Sequence, residues 1–227
     1  MKRLIMAMFV ITIGAGLYAQ DSFFPSKAGI TLTYANNDAR GNTEGYTVLT
    51  IKDVKGSGNN ITITYTGASL DKSRKLVKGS EMIYKAVVKN GVLIMDINRL
   101  VPVEMREQGI KIEAKGLPME LPNDIKPGQS LKDCWVTAKM DLGVMTVSNT
   151  IRLTEGKCLA IENVKVPAGT FKCHKITQKY TATAGNITVF STSVSWYAPN
   201  IGEVKNETYD ENKKLVSTSV LVELKGR

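Results

Sequence analysis

Val164-Lys165-Val166-Pro167-Ala168-Gly169-Thr170-Phe171-Lys172-Cys173-His174-Lys175-Ile176 decides the fold of this chain. Two runs of alternating apolar and polar residues flank Pro-Ala-Gly-Thr. Alternation at period two marks a half-buried strand, proline presets φ for a turn, and glycine supplies the positive φ of a tight reversal. The stretch is a β-hairpin, and the same pattern recurs on either side of it. Runs near 131–140, 144–154, 157–166, 170–183, 186–198, 201–210 and 214–225 are separated by turn residues, so the second half is an antiparallel meander. In the first half Ile30, Leu32 and Tyr34 alternate with threonines. Tyr46–Val54, Ile61–Thr66 and Met82–Val88 follow as strands, and Asn90-Gly91 gives the strongest two-residue hairpin signal, leading into Val92–Ile97. Turn counting predicts roughly eleven to thirteen strands. The β pattern breaks at Asn98–Gln108, where Pro102 can open a helix that Gly109 ends, so one short helix is expected there.

The first residues are read as an export signal. Lys2 and Arg3 form a positive start, Leu4 to Leu17 an apolar run too short to span a bilayer comfortably, and Leu17-Tyr18-Ala19 a cleavage site. Residues 1–19 are assigned as a signal peptide cut near Ala19, and residues 20–227 as one β domain, exported to the periplasm or beyond and peripheral to the membrane. No cysteine follows the cut, so no lipid anchor is indicated. Loss of Lys2 and Arg3 takes the formal charge from +9 to +7, but the lysines are scattered and no basic run interleaves with aromatics, which argues against a nucleic-acid surface.

Cys134, Cys158 and Cys173 are an odd set without a C-x-x-C, and thiols packed as small hydrophobes are expected. His174 is the one histidine, so neither a metal site nor a Ser-His-Asp arrangement can be assembled around it, and it is placed on the polar, solvent-facing side of its strand. Acidic residues are too plentiful, and aromatics at 7% too sparse, to single out a glycosidase pair. No glycine loop precedes a helix to cradle a phosphate. The expectation is a non-enzyme with no cofactor and no metal.

With two-residue loops assumed at Asp141, Thr154, Pro167 and Thr183, one sheet face collects Val136, Ala138, Met140, Met145, Val147, Ile151, Leu153, Cys158, Ala160, Val164, Val166, Phe171, Cys173, Val194 and Trp196. The same registers place Cys173 opposite Val164. They also set Asn149, Glu162 and Lys175 side by side on three strands, interrupting the apolar face. Two interpretations stay open: these groups orient a ligand headgroup, or they form a solvated cross-strand ion pair at the rim.

Val166–Lys175 with Ile176, and Trp196-Tyr197-Ala198-Pro199-Asn200-Ile201-Gly202-Glu203-Val204-Lys205, resemble a family of exported Bacteroidota proteins with a domain of unknown function, labelled the TapB family. Leu121 to Asp133 resembles that family's proline-glycine lead into its C-terminal meander, and the likeness covers most of the mature chain. The resemblance implies a mainly β fold, a large antiparallel meander sheet curled into a half-barrel or open barrel, with the short helix near the concave side. It carries no activity or catalytic residue. An open sheet cannot leave a large apolar face in water, so the helix, a ligand or a partner must cover it. The expected function is a monomeric binding protein holding a lipid or other amphipathic small molecule on the concave face. Phe171 and Trp196 would touch its apolar part, and Lys175, Glu162 and Asn149 its headgroup. The alternative is an interaction component of a cell-envelope complex.

Overall fold

A computed structural model describes residues 22–100, 112–141 and 146–226. The signal peptide assigned to 1–19 lies outside these residues, as do Met145 and all but the first three positions of the helix expected at Asn98–Gln108.

The strands are β1 (Thr31–Asp38), β2 (Thr43–Ser57), β3 (Asn60–Leu70), β4 (Met82–Lys89), β5 (Val92–Met95), β6 (Ile112–Leu117), β7 (Met119–Pro122), β8 (Cys134–Asp141), β9 (Thr146–Val166), β10 (Gly169–Ala184), β11 (Ile187–Ala198), β12 (Gly202–Tyr209) and β13 (Leu215–Lys225). All thirteen join one antiparallel sheet in the order β6-β8-β9-β10-β11-β12-β13-β1-β2-β3-β4-β5-β7. The two edge strands, β6 and β7, are separated in sequence only by Pro118. Proline has no N–H to offer a ladder, so the chain passes from one edge to the other there without pairing them. The sheet therefore curls into a nearly closed barrel with one unsealed seam, a further closure than the half-barrel expected from the resemblance.

The turns follow their residues. Pro167-Ala168 joins Val166 to Gly169, and Asn90 and Gly91, both at positive φ (51° and 76°), join Lys89 to Val92. The ladder reaches these tight loops because their twist matches that of the strands.

One expected turn is not formed. Glu155-Gly156 lies inside the single 21-residue strand β9. Glu155 takes φ +53°, and two register shifts against β10 place extra residues of β9 there and at Leu159. The strand continues because residues 128–131 take the place of β8 beside it: Leu131 N donates to Gly156 O (2.7 Å) and Cys158 N to Gln129 O (2.9 Å). Gly156 is packed so closely that a Cβ would lie 2.8 Å from Leu131 Cβ.

The interior is filled unevenly. Phe23 and Phe24, from the segment before β1, are buried in the core with Leu32, Ile51, Ile63, Tyr65, Leu93, Leu121 and Tyr197. Phe24 meets Tyr65 at 4.9 Å between ring centroids, and Phe23 meets His174 at 4.8 Å. At the other end Val136, Ala138 and Ile151 form a smaller cluster, and Ile97, from a 3-10 turn over Ile97–Leu100, packs on it. The concave side is thus covered at one end by the segment that carries Phe23 and Phe24, and at the other partly by Ile97.

Candidate functional site

Between these two clusters the barrel stays open. A cavity of about 300 Å³ is bounded on one side by Met95, Asp96 and Ile97 at the end of β5 and by Met119 of β7, with Leu153 of β9 nearby. Across from them stand Gln178 and Tyr180 of β10, Ser191, Ser193, Ser195 and Tyr197 of β11, and Glu203, Asn206 and Thr208 of β12. β10 and β11 pair without a register shift, so every second residue faces inward and a small hydroxyl recurs along β11. Asn206 Nδ2 donates to Ser193 Oγ (2.7 Å) and Ser195 Oγ (2.8 Å), which fixes the polar wall without closing the space. A second cavity of about 200 Å³ lies on the Phe23 and Phe24 side and shares Met95, Tyr197 and Glu203 with the first. Tyr34 donates from its hydroxyl to Glu203 O (2.9 Å) at that junction. One wall of the main cavity is apolar and the other carries hydroxyl and amide groups, which suits an amphipathic guest.

Three of the five residues singled out from the sequence, Glu162, Lys175 and Trp196, come together on the other face of the sheet, and Phe171 shares that face. Ser195 and Tyr197 line the cavity, so Trp196 between them points away from it, as does its cross-strand partner Lys175. Phe171 and Cys173 share that parity on β10, and Glu162 stands opposite Cys173 on β9. Trp196 is 6% exposed. Its Nε1 donates to Glu162 Oε1 (2.6 Å), and Lys175 Nζ (5.0 Å) and Lys205 Nζ (4.9 Å) sit against its ring. Lys175 and Glu162 approach to 3.7 Å. Trp196, Glu162, Lys175 and Lys205 each meet another member of this cluster, which is the geometry of a covering for a buried indole.

Asn149 is not there. It pairs with Ala138 and Ala184, thirteen positions down β9 from Glu162, roughly 40 Å of strand at about 3.3 Å per residue. The cause is the missing turn: without a reversal at Glu155-Gly156, the two halves of β9 lie end to end. The Pro167-Ala168 loop also sets Cys173 opposite Glu162, with Val164 opposite Phe171, in place of the expected Cys173–Val164 pair. The bulge at Leu159 then divides the presumed single apolar face. Cys158 pairs with Ile176 on the cavity side, whereas Ala160 and Glu162 follow Lys175 and Cys173 to the other.

His174 is likewise corrected. It lies opposite Tyr197, turned inward and half-buried against Phe23, with Nδ1 lacking a hydrogen-bond partner. Burial lowers its pKa, Lys172 adds to the shift, and a backbone hydrogen bond with Tyr197 opposes it. The cysteines are buried free thiols. Burial pushes Cys134 up to about 11 and Cys173 up to about 12, Glu162 adding to the latter, which leaves both poor nucleophiles. Among the described residues no three His, Cys, Asp or Glu side chains gather as a metal site.

Reading apolar positions as inward passes over the cavity residues. The alternation Ser191-Thr192-Ser193-Val194-Ser195-Trp196 carried the contrary signal. A solvated strand face usually bears long charged side chains, such as Lys205 and Glu207, whereas a run of small hydroxyls at every second position fits a confined space.

Two solved structures share this architecture. An inferred exported protein of Bacteroides fragilis with a YmcC-like fold superposes with a TM-score of 0.77 at 22% identity, over 91% of this chain and 100% of its own. An inferred lipoprotein of Parabacteroides distasonis gives 0.77 and 22%, over 90% and 99%. At that identity the likeness shows the fold alone. No curated protein matches the chain. The model of one family matches residues 27–221, nearly the whole sheet, and the chain belongs to that family, the DUF3108-like proteins.

Proposed function

We propose that this protein is an exported binding protein that holds a small amphipathic molecule in the barrel cavity without chemically changing it. The observation that carries the proposal is the cavity of about 300 Å³ between the Met95, Ile97 and Met119 wall and the Ser191, Ser193 and Ser195 wall. Space of this size with convergent polar groups on one side is the usual form of a small-molecule site. Export is supported by the amino-terminal sequence pattern and by the names given to the two structural neighbours. Native mass spectrometry of protein purified from its exported fraction without detergent tests it. A bound mass that is released on denaturation and absent from Ser193→Trp or the milder Ser193→Leu is the expected result. A clean apo mass from the wild type, with no uptake of added amphiphiles, would overturn it.

A second function is favoured by one feature. Ile187, Val189 and Phe190 are 70%, 56% and 50% exposed at the start of β11, beyond the last β12 partner, Tyr209 opposite Thr192. An apolar ribbon end of this kind suits a protein partner in an envelope complex. Loss of a stoichiometric partner on Phe190→Ser, with cavity occupancy unchanged, would identify that role.

A further inference from the structure

We infer that the outer face of the sheet over β6 and β8 carries a further binding site, separate from the barrel cavity, that takes an acidic oligosaccharide. Val136, Ala138 and Ile151 pack into the interior with Ala114 and Tyr180, so alternation turns the residues between them outward. Glu113 and Lys115 of β6 and Trp135, Thr137 and Lys139 of β8 are those residues, and together they line a recess of about 210 Å³. Trp135 is half-buried and forms one end of it, while Lys115, Lys139 and Glu113 are exposed. The Arg152 guanidinium, from the facing position on β9, lies 5.9 Å from the indole centroid.

A flat indole beside a short hydroxyl suits a sugar ring, whose C–H face packs on the aromatic while its own hydroxyls exchange hydrogen bonds with the threonine. Lys115, Lys139 and Arg152, set against Glu113 as the carboxylate of the lining, give the recess an excess of positive charge that draws an acid group. The sheet register carries the same chemistry onward. Thr137 stands opposite Thr150, Thr150 opposite Thr183 and Thr183 opposite Thr188, a row of threonines across β8, β9, β10 and β11. Their hydroxyls meet in pairs, Thr137 with Thr150 (2.9 Å) and Thr183 with Thr188 (3.2 Å), and each keeps acceptor capacity for a ligand. The row covers three strand spacings, about 14 Å, the span of a short oligosaccharide. Hydroxyls gain nothing from lipid chains, so this floor favours a sugar chain over a bilayer surface.

The chain has two tryptophans, so the mature protein with Trp196→Phe reports on Trp135 alone, and its fluorescence is followed at neutral pH. The probes are trigalacturonate, the neutral trisaccharide maltotriose, and phosphatidylglycerol vesicles. Trigalacturonate is expected to shift the Trp135 emission and to bind about tenfold more tightly than maltotriose, equivalent to about 1.4 kcal/mol. The double variant Lys115→Gln, Lys139→Gln changes only exposed side chains and should remove that preference. Trp135→Ala, followed by calorimetry, should bind trigalacturonate about tenfold more weakly. Equal binding of the two trisaccharides, no emission change with trigalacturonate, or a preference that the double variant keeps overturns the site. A response confined to the vesicles overturns it as well, and makes the face a membrane contact.

Discussion

Replacing Trp196 separates the two faces of the sheet most sharply. Its indole is 6% exposed, and its removal in Trp196→Ala should cost about 3–5 kcal/mol, the range for deleting a large buried aromatic. Against a total stability of roughly 5–15 kcal/mol, that is a large shift in the unfolding midpoint. Trp196→Phe keeps most of the apolar contact and loses the Nε1 hydrogen bond to Glu162. Charge-assisted bonds contribute about 1.5–3 kcal/mol, but the Glu162 side chain is 43% exposed and water can replace the donor, so a loss of about 1 kcal/mol is expected. Neither change touches the cavity, because Ser195 and Tyr197 face it and Trp196 does not. Urea denaturation followed by circular dichroism gives the stability term, and native mass spectrometry of the folded Trp196→Phe protein gives occupancy. The expected outcome is a lowered midpoint with unchanged cargo. Loss of cargo from Trp196→Phe at an unmoved midpoint would refute the face assignment, and with it the cavity as the binding site.

Three further outcomes follow from the packing. His174 has a folded pKa below its ordinary 6.5, so the unfolded chain takes up a proton first as pH falls. Its contribution is fully present above that value and is lost as pH drops from about 7 toward 5; the difference in urea midpoint between wild type and His174→Gln should change over that window, and a constant difference would contradict it. Cys134, Cys158 and Cys173 should resist a thiol reagent at pH 8 in the native state and all react in denaturant; rapid native labelling of any one would contradict its burial. Gly156→Ala should destabilise by about 1–3 kcal/mol through overpacking, because its Cβ would meet Leu131 Cβ at 2.8 Å and Gln178 Nε2 at 3.1 Å; an unchanged midpoint would show that β9 can yield there.

The outer cluster and the cavity divide the roles that the sequence had combined. Lys175, Glu162 and Trp196 do meet, as a cation-capped indole, and their mutual satisfaction gives them a stabilising part away from the cavity. Their partners are polar atoms of this same chain, whereas the serine wall on the inner side borders open space.

Local chemistry determined the strands and most turns. Period-two alternation and the Asn90-Gly91 and Pro167-Ala168 loops fix hairpins through backbone geometry that each dipeptide carries by itself, and the antiparallel sheet follows from them. Tertiary structure decided what those local rules leave open. Glu155-Gly156 has turn composition, but residues 128–131 pair with the strand and hold it extended, so the outcome depends on a segment about 25 positions earlier in the chain. Because side chains alternate faces, the bulge at Leu159 moved Cys158 to the side opposite Ala160 and Glu162, while the direction in which the sheet curls turned the face of Trp196 outward and that of His174 inward. The cavity exists only where strands from both halves of the chain face each other across the curled sheet, a relation that no local pattern encodes.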